Sequence, residues 1–301
     1  LRSIAVSDKR EVLINGQPVK FRGVNHHDTS PTGGWTMTEK SGKVSEEQWK
    51  AIEETVLTVY PKILPAKKKE GFFVFEIVKK EKLNNTVTKM ELLAPRIAAK
   101  ALAGQFVILR VDALGERIPL TIADYNRNEG TVTVIFQIVG GSTQKLNQKE
   151  QGDFIEDLVG PLGKPTHTEN LGKVAVIGGG VGCAIAYPVA KALKENGATV
   201  HSVVGFRNKD LVILEDEFKA VSDKYLIMTD DGSAGEKGLV TNALQSLIES
   251  GEQYDEVIAI GPLVMMKYTV LTAKPFGVPV TVSMNPIMID GTGMCGGCRL
   301  T

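Results

Sequence analysis

The stretch Lys173 to Lys194, KVAVIGGGVGCAIAYPVAKALK, is an apolar run that breaks into glycines and resumes with helical spacing. It reads as strand, phosphate-binding loop and helix. Val174, Val176 and Ile177 suit a strand buried on both faces, and Gly178, Gly179, Gly180 and Gly182 free the backbone for a tight turn and close approach to a ligand. The helix that follows presents unpaired N–H groups and the positive end of its dipole to a pyrophosphate. Glycine-rich strand-to-helix turns also serve packing alone, so the fingerprint by itself is a weak signal. Its third small position here is Cys183, and no acidic residue ends the next strand, Thr199 to Val204. The stretch marks a nucleotide site that departs from the standard dinucleotide fingerprint.

A chain of 301 residues with 43% hydrophobic content can build substantial cores, and its length favours two domains. Thirty-five basic and 35 acidic residues balance, which argues against a nucleic-acid or anionic-membrane partner and for small molecules or proteins. No apolar run is long enough to span a bilayer, and LRSIAVSDKR lacks a signal-peptide layout, so a cytoplasmic location is expected. Of three cysteines, Cys295 and Cys298 lie together in a glycine-rich tail, a poor disulfide framework but a plausible metal-ligand pair. The chain opens on leucine and stops just past that pair, so both ends read as cut.

Along the chain, Glu11 to Ile14 and Val19 to Phe21 flank Asn15-Gly16, a hairpin signal. Leu13 to Met37, LINGQPVKFRGVNHHDTSPTGGWTM, resembles the segment that opens the catalytic barrel of family 2 glycoside hydrolases such as β-galactosidases. The catalytic carboxylates of that family would lie far downstream, so no glycosidase role is carried over. His26 and His27 are adjacent and point apart on a strand, which favours surface or core histidines over metal ligands. Trp49, Ile52, Val56 and Val59 predict an amphipathic helix over residues 46–60, and Pro61, Pro65 and Lys67 to Lys69 read as a linker.

From Phe72 the runs FFVFEIV, TVTKMELL, QFVILRV and TVTVIFQIV predict a small antiparallel barrel that ends near Gly163. Within it, Arg117-Ile118-Pro119-Leu120-Thr121 puts an arginine and a hydroxyl on one side of a strand end, where they can hold a phosphate and a flavin ring. A barrel edge with a surface arginine is the equal alternative. After Lys194, strands and helices alternate to Ser283, which predicts a parallel sheet covered by helices. Asp230 and Gly261-Pro262 then follow strand ends, where open α/β sheets bind ligands, although their polar atoms can equally cap helices.

In the tail, Asp290, Cys295 and Cys298 keep the C-x4-C-x2-C spacing of a plant-type two-iron, two-sulfur site, with aspartate in the first place. Half of a zinc site and a redox C-x-x-C pair are the alternatives; zinc lacks two nearby ligands, and a redox pair belongs at a helix start.

Taken in order, RIPLT, GGGVG and DGTGMCGGC resemble the flavin- and iron–sulfur-containing reductase subunits of the ferredoxin–NADP reductase superfamily, from about Gly71 to Thr301. The likeness is nearest to the small-subunit branch of NADH-dependent ferredoxin:NADP oxidoreductase and sulfide dehydrogenase, with the dihydroorotate dehydrogenase B electron-transfer subunits as cousins. It implies a fold in which an antiparallel flavin-binding β barrel precedes a parallel-sheet α/β nucleotide-binding domain. The boundaries expected are an extra N-terminal segment 1–70, an FAD domain 71–165, an NAD(P) domain 166–284 and a truncated cluster-binding tail 285–301.

The resemblance implies FAD contacts from Arg117, Pro119, Leu120 and Thr121, with Gly140, Gly141 and Thr143 near its pyrophosphate. Gly178, Gly179, Gly180 and Gly182, with Asp230, Gly261 and Pro262, would face NAD(P)H, and Asp290, Cys295 and Cys298 would ligate a 2Fe-2S cluster. The family usually carries threonine and proline where this chain has Cys183 and Ile185, and a further cluster cysteine downstream, so three ligands remain at most. Residues 1 to about 70 have no counterpart in the family, and the chain reads as a chimera.

The implied activity is hydride transfer from NAD(P)H to FAD and single-electron transfer through the cluster to a larger flavin/iron–sulfur oxidoreductase subunit in a heterodimer, with ferredoxin reached indirectly. No acid–base catalytic residue is required. Arg207 fits either a ribose phosphate, favouring NADPH, or a solvated loop, while the resemblance leans to NADH. The rival readings are a cluster-free docking fragment and a glycosidase fragment.

Overall fold

A computed structural model describes residues 4–6, 12–14, 17–18, 75–284, 288, 291, 295, 296 and 298. The chain divides into two units, one of Leu1–Phe72 with Thr292–Gly296 and one of Phe73–Gly291 with Gly297–Thr301. In the first unit, β1 (Ile4–Val6), β2 (Val12–Ile14) and β3 (Gln17–Pro18) form an antiparallel three-stranded sheet. Strands β2 and β3 pair with Ile14 opposite Gln17, so the second strand is Gln17–Pro18, and the expected run Val19 to Phe21 lies outside the described residues. The expected helix over 46–60, the lysine run, His26 and His27 lie outside the described residues.

The second unit begins with β4 (Phe75–Lys82) and β5 (Val87–Leu93), followed by the short helix α1 (Pro95–Ala98) and β6 (Phe106–Arg110). Next come β7 (Arg117–Asn126), β8 (Thr131–Gln137), α2 (Gly141–Asn147), β9 (Phe154–Ile155) and β10 (Asp157–Leu162). These strands make one antiparallel seven-stranded sheet in the order β10-β6-β7-β8-β5-β4-β9, which curls into a near-barrel. Strand β5 shows why: Met90 and Leu92 are fully buried while Lys89 and Glu91 alternate with them, the period of a half-buried strand. Its hairpin with β4 is closed by Asn84, whose Oδ1 accepts the N–H groups of Thr86 and Val87 at 2.9 Å each, a side-chain mimic of a backbone turn.

The chain then forms β11 (Lys173–Gly179), a 3-10 turn (Gly180–Gly182), α3 (Cys183–Glu195) and β12 (Thr199–Phe206). It continues through α4 (Glu215–Val221), β13 (Lys224–Thr229), β14 (Glu236–Lys237), α5 (Val240–Glu249), β15 (Glu256–Ile260), α6 (Leu263–Ala273) and β16 (Val280–Val282). All pairs in this six-stranded sheet are parallel, in the order β14-β13-β12-β11-β15-β16. Strand β11 is buried on both sides. Val174 and Val176 pack with α3 residues such as Ala186 and Val189, whereas Ala175 and Ile177 pack with α5 residues such as Leu244 and Leu247. Helices on both faces are what a near-continuous apolar strand requires.

Helix α4 begins at Glu215, directly after Leu214, which adopts φ 57 and turns its side chain into the core. Among the described residues no helix is long and apolar enough to cross a membrane.

Candidate functional site

Strand β11 pairs with β12 on one side and β15 on the other, so chain order reverses across it. Such a switch point leaves a crevice at the carboxyl ends of the strands. A cleft of about 730 Å³ opens there. Gly179 to Gly182 line it from β11 and the turn, Phe206, Arg207 and Asp230 from the ends of β12 and β13, and Gly261 and Pro262 from the end of β15. Asn84, Thr86 and Gln137 of the barrel close its far side. Its size matches a small-molecule or cofactor pocket.

The four glycines of the fingerprint do different work. A Cβ on Gly178 would stand 2.8 Å from the Cys183 Sγ, and one on Gly179 would stand 2.5 Å from the Met265 Sδ. On Gly182 it would meet Gly261 Cα and Ile260 O at 2.7 Å. Those three glycines let protein pack on protein. Gly180 is different: its φ is +54 and nothing lies within 4 Å of where its Cβ would be. It leaves bare backbone facing the cleft, and no side chain caps the first turn of α3. That open cradle at a helix N-terminus fits the pyrophosphate of a nicotinamide nucleotide. Cys183 is fully buried, and burial pushes its thiol well above the usual range, so it acts as a small apolar residue.

Helix α3 also ties this loop to the barrel. Lys191 Nζ donates to Asp124 Oδ1 of β7 at 2.8 Å. Strand β7 opens with the RIPLT segment. Ile118 and Leu120 pack toward the barrel core, so the period of two turns Arg117, Pro119 and Thr121 to the opposite face. Leu120 therefore does not share a face with the other three residues expected at the flavin. Arg117 stays half exposed, with its Nη2 3.7 Å from Asp157, which is held more closely by Arg110.

Thr143 spends its hydroxyl on the first turn of α2, accepting the N–H groups of Val139 and Gly140 at 3.1 Å each. Gly140 and Gly141 have open space where a Cβ would sit. An exposed arginine on one strand face and open glycines at a helix start fit a flavin dinucleotide.

The tail approaches the same strand at Gly291, where a Cβ would stand 2.9 Å from the Arg117 Cβ and φ is +63. Cys295 is exposed and Cys298 half-buried. Asp290 lies outside the described residues, and no three His, Cys, Asp or Glu side chains among the described residues group as a metal site. Two described thiols do not make the four-ligand set of a cluster.

No family model matches the chain. An electron-transfer subunit homolog of dihydroorotate dehydrogenase B (NAD(+)) from Thermotoga maritima is 50% identical over 231 residues, 77% of this chain and 81% of that protein. The chain belongs to that electron-transfer-subunit family. The corresponding subunit from Fusobacterium nucleatum is 34% identical over 202 residues, 65% of this chain and 76% of its own length. A solved structure of the NADH-dependent reduced ferredoxin–NADP oxidoreductase is 48% identical with a TM-score of 0.71, covering 77% of this chain and 83% of that one. The near-barrel followed by a parallel sheet is thus the ferredoxin-reductase-like architecture. These comparisons give no support to the glycosidase likeness of Leu13 to Met37 or to a chimera built on it.

Sequence reasoning missed the barrel side of the cleft. Thr86 and Gln137 sit at paired strand ends, with the Ile138 N–H donating to Thr86 O at 2.8 Å, and carry no motif. Asn84 carried a signal, as a turn residue, but for a structural role.

Proposed function

We propose that this chain is an electron-transfer subunit that binds NAD(P)H in the switch-point cleft and FAD against the barrel. Bound FAD supplies the chemistry, accepting a hydride from the nicotinamide and releasing electrons one at a time. The observation that carries this reading is Gly180, the fingerprint glycine whose missing side chain serves the cleft and not the protein's packing. Around it, the ends of β12 and β13 hold the adenosine half of the nucleotide, and Gly261 and Pro262 bound the side toward the barrel. Asn84, Thr86 and Gln137 orient what reaches across. Arg117 and Thr121 hold the flavin's polar edge and phosphate, with Gly140 and Gly141 leaving room for the pyrophosphate.

Electrons leave to a larger oxidoreductase subunit. The 48% identity to the NADH-dependent reduced ferredoxin–NADP oxidoreductase supports the small-subunit position in a heterodimer of that type, with ferredoxin served through the partner. Asp290, Cys295 and Cys298 are the residues this chain offers to a 2Fe-2S cluster.

The test is a visible spectrum of the flavin-reconstituted chain, taken anaerobically before and after NADH. Flavin bands that bleach on addition support the reading. A chain that stays colourless after reconstitution rejects the flavin site, and bands that ignore both NADH and NADPH reject the nucleotide site. Iron and acid-labile sulfide content, measured separately after cluster reconstitution, tests the tail.

A further inference from the structure

Strand β7 carries one residue more than its neighbour can pair. Ile122 pairs with Val134 of β8 and Asp124 with Thr133, so Ala123 is the extra residue of a β-bulge. Ile122 and Tyr125 both pack toward the barrel core, which leaves Ala123 and Asp124 turned outward together, where strict alternation would send Asp124 back inward. Helix α3 lies against that outer face. Ala123 is buried in the apolar cluster that also holds Ala186 and Val189 of α3. Beside it, Asp124 Oδ1 accepts from Lys191 Nζ of α3 at 2.8 Å and from the Tyr125 N–H at 2.8 Å, and the second bond fixes its rotamer.

Among the described residues, two side-chain hydrogen bonds join the near-barrel, β4 to β10, to the parallel-sheet half, β11 to β16. One is Lys191 to Asp124, and the other runs from Asn84 Nδ2 to Leu211 O at 3.4 Å. Lys89 of β5 adds a loose ion pair to Glu217 of α4 at 3.9 Å. One turn further along α3, Lys194 Nζ donates to Asp223 Oδ1 at 2.6 Å and ties the helix to its own half instead.

Both ends of the Lys191–Asp124 bridge lead to a cofactor site. Lys191 lies eight residues after Cys183, so about 12 Å of helix separates it from the start of α3 at the open cradle. Asp124 lies three residues past Thr121, about 10 Å along the strand that presents Arg117 and Thr121. The cradle holds the nucleotide and β7 holds the flavin, so the seating of α3 on β7 sets how the two rings meet. Hydride transfer is sensitive to that placement, since a misplacement of about 1 Å can cost roughly a hundredfold in rate. As a source of stability alone, a pair this exposed contributes only about 0.2–1 kcal/mol.

We propose that Asp124 is a positioning residue for hydride transfer: through Lys191 it fixes the nucleotide cradle against the flavin strand. This rests on the nucleotide and flavin sites proposed above. The test uses the full flavin-loaded chain and three readouts. Stopped-flow reduction at saturating NADH gives the limiting rate of flavin bleaching. The long-wavelength charge-transfer absorbance of the reduced protein with oxidised nicotinamide nucleotide reports ring stacking without turnover, and calorimetric titration with ADP-ribose reports the cradle alone. Lys191→Met should lower the limiting rate about five- to tenfold and weaken the charge-transfer band, with ADP-ribose affinity and flavin content unchanged. Asp124→Ala should do the same, the double variant should be no slower than the slower single one, and Lys191→Arg, which keeps a donor, should stay near wild type. Lys194→Met removes a comparable pair from the same helix and should leave every readout alone. An unchanged rate or band in Lys191→Met, a matching fall in its ADP-ribose affinity, an equal loss in Lys194→Met, or losses that multiply in the double variant overturn the assignment while leaving both sites standing. A wild-type chain that binds no ADP-ribose, or whose flavin neither NADH nor NADPH reduces, overturns the cofactor sites and the assignment with them.

Discussion

The division of labour among the fingerprint glycines can be tested by a rescue. In Gly178→Ala the new methyl carbon would stand 2.8 Å from the Cys183 Sγ, where a comfortable contact needs roughly 3.5 Å or more. Gly178 and Cys183 are both buried in the centre of the unit, so neither can swing into solvent. Overpacking of this kind costs about 1–3 kcal/mol. For a unit of this size that lowers Tm by roughly 2–4 °C per kcal/mol. Once Cys183→Ala is added, the sulfur is gone, and the nearest remaining atoms are the residue 183 Cα at 3.4 Å and the Ala186 Cβ at 3.6 Å. The double variant should therefore be more stable than Gly178→Ala alone, with a coupling of about 1 kcal/mol or more. Urea unfolding of the two single variants and the double variant measures this. If the two losses simply add, the sulfur is not the obstacle and the packing role of Gly178 is wrong. Gly180→Ala provides the contrast. Its cost comes from a left-handed backbone, about 1–2 kcal/mol, which Cys183→Ala cannot recover, and its methyl enters the cleft, so ADP-ribose binding should fall sharply.

Three further outcomes follow from the same geometry. Arg117→Ala should weaken FAD binding roughly ten- to hundredfold, read by fluorescence titration of the apoprotein; unchanged flavin content would remove Arg117 from the site. His201 is buried against Tyr254, its Nδ1 2.8 Å from the Tyr254 hydroxyl, and burial holds its imidazole below the usual range. Its contribution is complete above the ordinary imidazole pKa of about 6.5 and is lost as pH falls from there toward the folded value, because the unfolded chain takes the proton first. Asp223, Glu252 and Asp255 are held below the usual carboxylate range by hydrogen bonds, so their losses come only in stronger acid. A fall in Tm between pH 7 and 5 that shrinks in His201→Gln would confirm the assignment, and an identical slope in both proteins would refute it. In chelator-treated protein, Cys295 and Cys298 should react with a thiol reagent in the native state, whereas Cys183 should react only on unfolding.

Much of the parallel sheet was legible because its strands obey a rule that needs no partner information. Val174 to Ile177 is apolar on both faces, and only a strand covered on both sides buries it. The barrel strands were legible from alternation, as in Met90 and Leu92. Within RIPLT the motif does not separate the two faces of the strand: the side chain of Leu120 packs toward the barrel core, while Arg117 stays half exposed on the other face. The glycines could not be sorted from sequence at all. Gly178 and Gly180 are chemically identical, and what separates them is a sulfur on the next helix in one case and empty space in the other.

Asp230 was legible as a residue that follows a strand end, but which neighbouring strand end it lies beside was not. Read along the chain, the acid expected after the second strand of the nucleotide fold is missing. Read across the sheet, it is present, because a parallel neighbour in register delivers the residue after Thr229 to the end of Phe206. Sequence order records which residue follows a strand; register decides which strand end that residue serves.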